Sequence, residues 1–82
     1  MEDVISQSTK EDETAKAYYF LGLFYEYGFG VDQKPKKAVE LFERAALLMH
    51  APAINKLGHC YFSGFGVKSD KMIAIGYYKQ AA

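Results

Sequence analysis

The sequence predicts an all-α protein made of two stacked helix–turn–helix repeats. Three observations support this fold class. The chain matches itself when it is shifted by 36 residues, both copies show apolar residues at helical spacing, and a Gly-x-Gly pair divides each copy in two. Self-similarity with a period of roughly 20–50 residues is typical of solenoid proteins, in which each copy packs against the next.

The internal repeat covers residues 15–50 and 51–82 and follows a polar, acidic lead-in at 1–14, which we expect to be frayed. Of 32 aligned pairs, 12 are identical. The residues that define the repeat stand at matching places: Ala17, Leu21, Gly22, Tyr25, Gly28, Gly30 and Ala38 in the first copy, and Ala53, Leu57, Gly58, Tyr61, Gly64, Gly66 and Ala74 in the second. Each copy is therefore one supersecondary unit.

Four helices are expected, near 13–27, 35–49, 52–63 and 71–82, with no strand. The first helix has Ala17, Leu21 and Tyr25 at i, i+4 and i+8, so that they share one face. Gly28 and Gly64 directly follow the first helix of their copies, where a left-handed residue commonly ends a helix. We expect a positive φ at both.

The second helix of each copy begins differently. Asp70 precedes it in the second copy and is a good N-cap, because its carboxylate accepts backbone N–H groups. Lys34 stands at the same place in the first copy and is a poor cap, which Pro35 partly compensates by presetting φ. We expect Ala74, Tyr77 and Tyr78 of the last helix to face outward, since no further copy follows them.

Charge and hydropathy exclude several classes of protein. Ten basic and ten acidic residues give a net charge of zero, so neither nucleic acid nor an anionic membrane is an expected partner. The longest apolar stretch has nine residues, whereas a membrane span needs about 20. The acidic N-terminus lacks the basic start of a secretory signal, which predicts a cytoplasmic location. A single cysteine, Cys60, excludes an internal disulfide.

The repeated string A-x-A-x-x-x-L-G-x-x-Y-x-x-G-x-G-V, followed by an Ala and a final Ala-Ala, resembles the Sel1-like repeat, a relative of the tetratricopeptide repeat with a longer inter-helix loop. The resemblance covers Ala15 to Ala82. It implies a right-handed superhelical scaffold that binds other proteins. Relatives serve as adaptors in protein quality control, chitin-synthase activation and bacterial host contact. Lys34 and Ile73 depart from the family pattern, at positions that affect helix capping and not the fold.

The sequence shows no pattern typical of a nucleotide-binding, metal or catalytic site. Each Gly-x-Gly pair follows a helix and lacks the third glycine of a dinucleotide-binding loop, so a structural turn is favoured. His50, His59 and Cys60 lack metal-ligand spacing; His50 is expected in the turn between the copies and Cys60 in the core. Nothing suggests a nucleophile with its base. We expect no catalysis, metal or cofactor, and acidic side chains on solvated faces.

One helix face is free to carry specificity. Tyr19, Leu23 and Tyr27 lie opposite the repeated residues, and Asn55 and His59 occupy the matching positions in the second copy. These residues form a hypothetical recognition stripe for a protein or peptide. The alternative is a packing surface, covered by Val4 and Ile5 or by a neighbouring repeat.

The function predicted from the sequence is that of an interaction scaffold or adaptor without catalysis of its own. The rival hypothesis is a fragment or accessory repeat domain of a larger enzyme, such as a signalling protein kinase. Two repeats fall below the about three that usually bury a continuous core. We therefore expect the chain to be marginally stable alone and to self-associate or need a flanking repeat.

Overall fold

The computed structural model describes residues 2–28 and 32–82, with side chains from Lys10 onward. The turn residue Gly30 and the side chains of Val4 and Ile5 lie outside that description. The described chain forms four helices and no strand: α1 (Glu2–Tyr27), α2 (Pro35–Leu47), α3 (Ala51–Ser63) and α4 (Lys71–Ala81). The predicted all-α solenoid of two helix pairs is confirmed.

The first helix begins about eleven residues earlier than predicted, at Glu2 instead of near residue 13. The predicted helix start near residue 13 was wrong because nothing between residues 2 and 14 breaks a helix. That segment contains no Gly or Pro, and several of its residues are good helix formers.

The glycine turns are built as expected. Gly28 has φ 76° and Gly64 has φ 79°, which confirms the predicted left-handed residue at the end of each first helix. The Gly64 N–H donates to the Cys60 carbonyl oxygen at 2.8 Å and so closes α3. Gly66 is also left-handed, and a Cβ there would lie 2.5 Å from the Pro35 carbonyl oxygen. The loop of the second repeat therefore lies directly on the start of α2.

The helix starts differ between the copies, as predicted. The Asp70 carboxylate accepts the N–H groups of Met72 at 3.0 Å and Ile73 at 3.2 Å. Lys34 makes no side-chain capping bond, and Pro35 stands in the first turn of α2. His50 lies in the turn between the copies, where its carbonyl oxygen accepts the N–H groups of Ala53 at 3.0 Å and Ile54 at 3.1 Å.

The core lies where α2 meets its neighbours. Phe42 of α2 is fully buried, and Leu57 and Cys60 of α3 are each 1% exposed. The core cluster also includes Ala38 and Val39. Cys60 is thus a small core residue, as expected.

Two repeated glycines allow the helices of each pair to approach closely. A Cβ on Gly22 would lie 2.7 Å from the Phe42 ring, and a Cβ on Gly58 would lie 2.9 Å from the Tyr78 ring. Each ring therefore rests on the backbone of the preceding helix, which only glycine permits without movement of the ring.

The orientation predicted for α4 was wrong for Ala74. Ala74 is fully buried, and Tyr77 is half-buried with its ring stacked 5.7 Å from that of Tyr61. Four other apolar residues of α4 are exposed: Met72 (78%), Ile75 (46%), Ile73 (42%) and Tyr78 (36%). Successive residues on a helix point about 100° apart, so the side chain after a core alanine can face away from its own repeat.

Candidate functional site

A groove lies where α1, α3 and α4 converge. It has a volume of about 350 Å³ and is lined by Tyr19, Pro52, Asn55, Lys56, His59 and Tyr78. The structure thus brings together three of the five residues of the hypothetical recognition stripe, namely Tyr19, Asn55 and His59. Sequence reasoning missed Tyr78, because its contribution depends on α4 folding back beside α3.

Tyr19 belongs to both the groove and the core. Its ring centroid lies 5.8 Å from that of Phe42 and 5.1 Å from that of His50. Burial lowers the pKa of His50, the nearby charge of Lys16 lowers it further, and Asp12 opposes the change. An uncharged imidazole therefore packs against the ring that forms one wall of the groove.

The stripe predicted on α1 is divided. Leu23 is half-buried and packs against the core cluster, and it does not line the groove. Tyr27 is 56% exposed and lies beside Lys56, whose Nζ is 3.4 Å from the Tyr27 Oη and 5.4 Å from the ring centroid. Tyr27 thus contacts a lining residue of the groove, Lys56, but does not itself line the groove.

An ion pair holds one side of the groove. Lys56 Nζ lies 2.9 Å from Glu26 Oε1, and both side chains are largely buried. Burial alone would lower the pKa of Lys56, but the hydrogen bond and charge of Glu26, assisted by Tyr27, raise it above its usual value. The expectation that acidic residues lie on solvated faces was therefore wrong for Glu26. No local pattern marks this pair, since its members are 30 residues apart and meet only because α1 lies beside α3.

The groove is lined by hydrogen-bonding groups, aromatic rings and one compensated charge. Asn55 and His59 offer hydrogen-bonding groups, Tyr19 and Tyr78 offer rings, and the charge of Lys56 is compensated by Glu26. Among residues 2–28 and 32–82, no three His, Cys, Asp or Glu side chains are grouped so that they could hold a metal ion.

Cys60 is placed as a structural residue. Burial raises the pKa of its thiol to about 11, with a further contribution from Glu26 that Lys56 opposes. The thiolate is the nucleophilic form of cysteine, and here it is strongly disfavoured.

The comparison with protein families finds the same repeat twice in the chain. The model described as Sel1 repeat matches residues 15–48 and 51–82. The chain belongs to the Sel1 repeat family. Sel1 repeats are generally protein-interaction modules. None of the described helices of this Sel1 repeat chain is both long and apolar enough to cross a membrane.

Relatives of the chain come from distant organisms. It is 34% identical over 77 residues to chitin synthase regulatory factor 3 of Schizosaccharomyces pombe, covering 90% of this chain and 8% of the relative. It is 35% identical over 60 residues to a putative sel1-like repeat-containing protein of Acanthamoeba polyphaga mimivirus, covering 73% of this chain and 11% of that protein. The chain thus spans a small part of both curated relatives.

A solved structure gives the same picture of the fold. The crystal structure of a Sel1 repeat protein from Oxalobacter formigenes superposes with a TM-score of 0.80 at 28% sequence identity. The match covers 82% of this chain and 28% of that protein. The two-repeat array is therefore similar to part of a longer Sel1 repeat solenoid.

Proposed function

We propose that this Sel1 repeat chain is an interaction scaffold that binds a segment of another protein in the groove between α1, α3 and α4. The observation that carries the proposal is the convergence of Tyr19, Asn55, His59 and Tyr78, which come from three helices, on one crevice. Tyrosine rings bury a large area with few rotatable bonds, and amide and imidazole groups can pair with the backbone of a bound chain.

The same groove is poorly suited to catalysis, and we propose that the chain has none of its own. Lys56 is paired with Glu26 and so does not act as a free amine. The Cys60 thiol is buried, and its raised pKa keeps it protonated. Binding without a chemical step is the role that remains for the lining residues.

The rival proposal places the chain in a larger enzyme as an accessory repeat domain. It is supported by the small share, 8%, of the S. pombe relative that the chain spans. That relative is named as a regulatory factor of an enzyme, which is the role of a binding protein. Both proposals assign recognition to the groove, and the full reading frame around this chain distinguishes them. The cytoplasmic location predicted from the sequence stays a prediction.

A site-specific crosslinking experiment tests the proposal. A photoreactive phenylalanine analogue replaces His59, which is exposed in the groove, and in a matched variant replaces Phe62, 52% exposed on the same helix but outside the groove. We expect a protein from the native source to crosslink at His59 and not at Phe62. Mass spectrometry then identifies the partner.

Affinity measurements with that partner complete the test. We expect Asn55→Ala combined with His59→Ala to weaken binding by about 10-fold or more, because both side chains line the crevice. Tyr19→Phe removes only the hydroxyl and keeps the ring that packs on Phe42. It therefore measures the contribution of the hydroxyl to binding without disturbing the core. Equal crosslinking at His59 and Phe62, or unchanged affinity in the double variant, contradicts the proposal.

A further inference from the structure

We propose that copies of this chain associate head to tail through the two ends of the solenoid. The C-terminal face, Ile75 and Tyr78 of α4, packs on the N-terminal face, Ala17 and Leu21 of α1, of a second copy. This surface shares Tyr78 with the groove of the proposed function. Leu21 and Ile75, the residues changed in the experiment below, do not line the groove, so the two proposals can fail separately.

The interface between the two repeats is the template. Val39 and Phe42 of α2 belong to one packed cluster with Leu57 and Cys60 of α3, and none of the four is more than 2% exposed. Ala53 beside them on α3 is also fully buried. These positions are covered whenever the second helix of one repeat meets the first helix of the next.

The same positions recur, uncovered, at the two ends. A shift of 36 residues converts Val39 and Phe42 into Ile75 and Tyr78, and Ala53 and Leu57 into Ala17 and Leu21. Every replacement is apolar, yet Ile75 is 46% exposed and Leu21 is 43% exposed. Both sides of a repeat–repeat interface are therefore present on one chain, at opposite ends, and a second copy supplies the missing half of each.

The second repeat has an open crevice at the C-terminal end of the array. The equivalent surface of the first repeat is covered. The crevice measures about 430 Å³ and is lined by Ala51, Pro52, Asn55, Tyr78, Ala81 and Ala82. At the matching place in the first repeat, His50 covers the surface. The His50 ring lies 5.1 Å from that of Tyr19, and the backbone N–H of His50 donates to the Ala45 carbonyl oxygen at 3.2 Å. A second copy placed by the same relation brings Thr14, the counterpart of His50, to this crevice.

Charge favours this pairing of unlike ends over a pairing of like ends. α4 carries Lys71 and Lys79 and no acidic residue, whereas residues 11–13 of α1 are three exposed acids. In the repeat–repeat relation the start of a first helix follows the end of the preceding second helix, so the acids of one copy come close to Lys79 of the other. Complementary charges of this kind steer association and fix its orientation.

The interface is heterologous, so each added copy leaves one face open and association continues as the concentration rises. Sedimentation velocity from about 1 μM to about 1 mM spans the range in which such contacts form. We expect the weight-average sedimentation coefficient of the unchanged chain to rise with concentration. We expect Leu21→Glu and Ile75→Glu, each studied alone, to remain monomeric.

A mixture of the two variants gives the decisive measurement. Leu21→Glu keeps an intact C-terminal face and Ile75→Glu keeps an intact N-terminal face, so a 1:1 mixture is expected to form dimers and nothing larger. Met72→Glu is the matched control: Met72 is 78% exposed on α4, and its counterpart Lys36 stays exposed inside the array. It should associate like the unchanged chain, as should His59→Ala in the groove.

Three results overturn the proposal: a strictly monomeric chain, a mixture that stays monomeric, or self-association of either glutamate variant alone, which indicates a contact between like ends. Circular dichroism verifies that each variant is folded. If a glutamate variant is not, Leu21→Ser and Ile75→Ser take its place in the same mixing experiment. Loss of association with retained partner binding, or the converse, separates this inference from the proposed function.

Discussion

The two repeats have equivalent sequences but unequal environments. Leu57 is 1% exposed, whereas its counterpart Leu21 is 43% exposed; Phe42 is fully buried, whereas its counterpart Tyr78 is 36% exposed. The inner helices α2 and α3 are covered on both sides by other helices, and the outer helices α1 and α4 on one side only. Place in the array, and not residue type, thus decides how much a repeated side chain contributes to stability.

The largest expected effect comes from the repeated leucines. Leu57→Ala should lower the free energy of unfolding by about 2–5 kcal/mol, because it leaves a cavity in the core. Leu21→Ala should lower it by less than about 1 kcal/mol, because this side chain already faces solvent. Urea denaturation of both variants measures the difference. Equal losses would show that the two repeats are energetically alike.

Replacing Gly22 or Gly58, the repeated glycines within α1 and α3, by alanine should change the stability of the chain in different directions. In Gly22→Ala the new Cβ meets the Phe42 ring, which is fully buried and cannot move aside. Overpacking of this kind costs about 1–3 kcal/mol, which outweighs the gain of about 1 kcal/mol in helix propensity from Gly to Ala. In Gly58→Ala the half-exposed Tyr78 ring can yield. We expect the first variant to be destabilised and the second to be neutral or slightly stabilised. Thermal melts that show the same sign for both contradict this.

The left-handed glycines should behave alike in the two repeats. Gly28→Ala and Gly64→Ala should each lose about 1 kcal/mol, since both residues have φ near 75–80° and Ala is strained there. Chemical denaturation midpoints test this. Unchanged midpoints in both variants would rule out strain at φ as the reason for glycine at these turns.

Substitutions at the helix N-caps should give the smallest changes in stability, and one of them should stabilise the first repeat. Asp70→Ala should lose about 1 kcal/mol with its two capping hydrogen bonds. Lys34→Asp should gain a few tenths of a kcal/mol to about 1 kcal/mol, because Lys34 already has the extended backbone of an N-cap and lacks only the acceptor. Helicity and melting temperature are the measurements. No gain from Lys34→Asp would indicate that Pro35 already compensates fully.

Features encoded by neighbouring residues could be predicted from the sequence. The helix count, the left-handed Gly28 and Gly64, the Asp70 cap and the core position of Cys60 follow from spacing or from the demands of a single turn. The start of α1 was missed because a polar segment without Gly or Pro can be helical without any apolar periodicity.

Features that depend on which helix covers which could not be predicted. Ala74 was expected to face outward, and Leu23 was placed on the recognition stripe, although both pack inward. The Lys56–Glu26 pair and the contribution of Tyr78 to the groove require contacts between distant parts of the chain. A helical wheel describes one helix and carries no information on its neighbours.

The buried thiol of Cys60 can be used to measure how often the two repeats separate. The sequence contains one cysteine, and its sulfur lies in the seam between α2 and α3. A thiol reagent can therefore react only when the two repeats separate, so the rate of labelling measures how often this seam opens. A partner that bridges α1 and α3 in the groove should slow labelling, whereas one bound elsewhere should leave the rate unchanged.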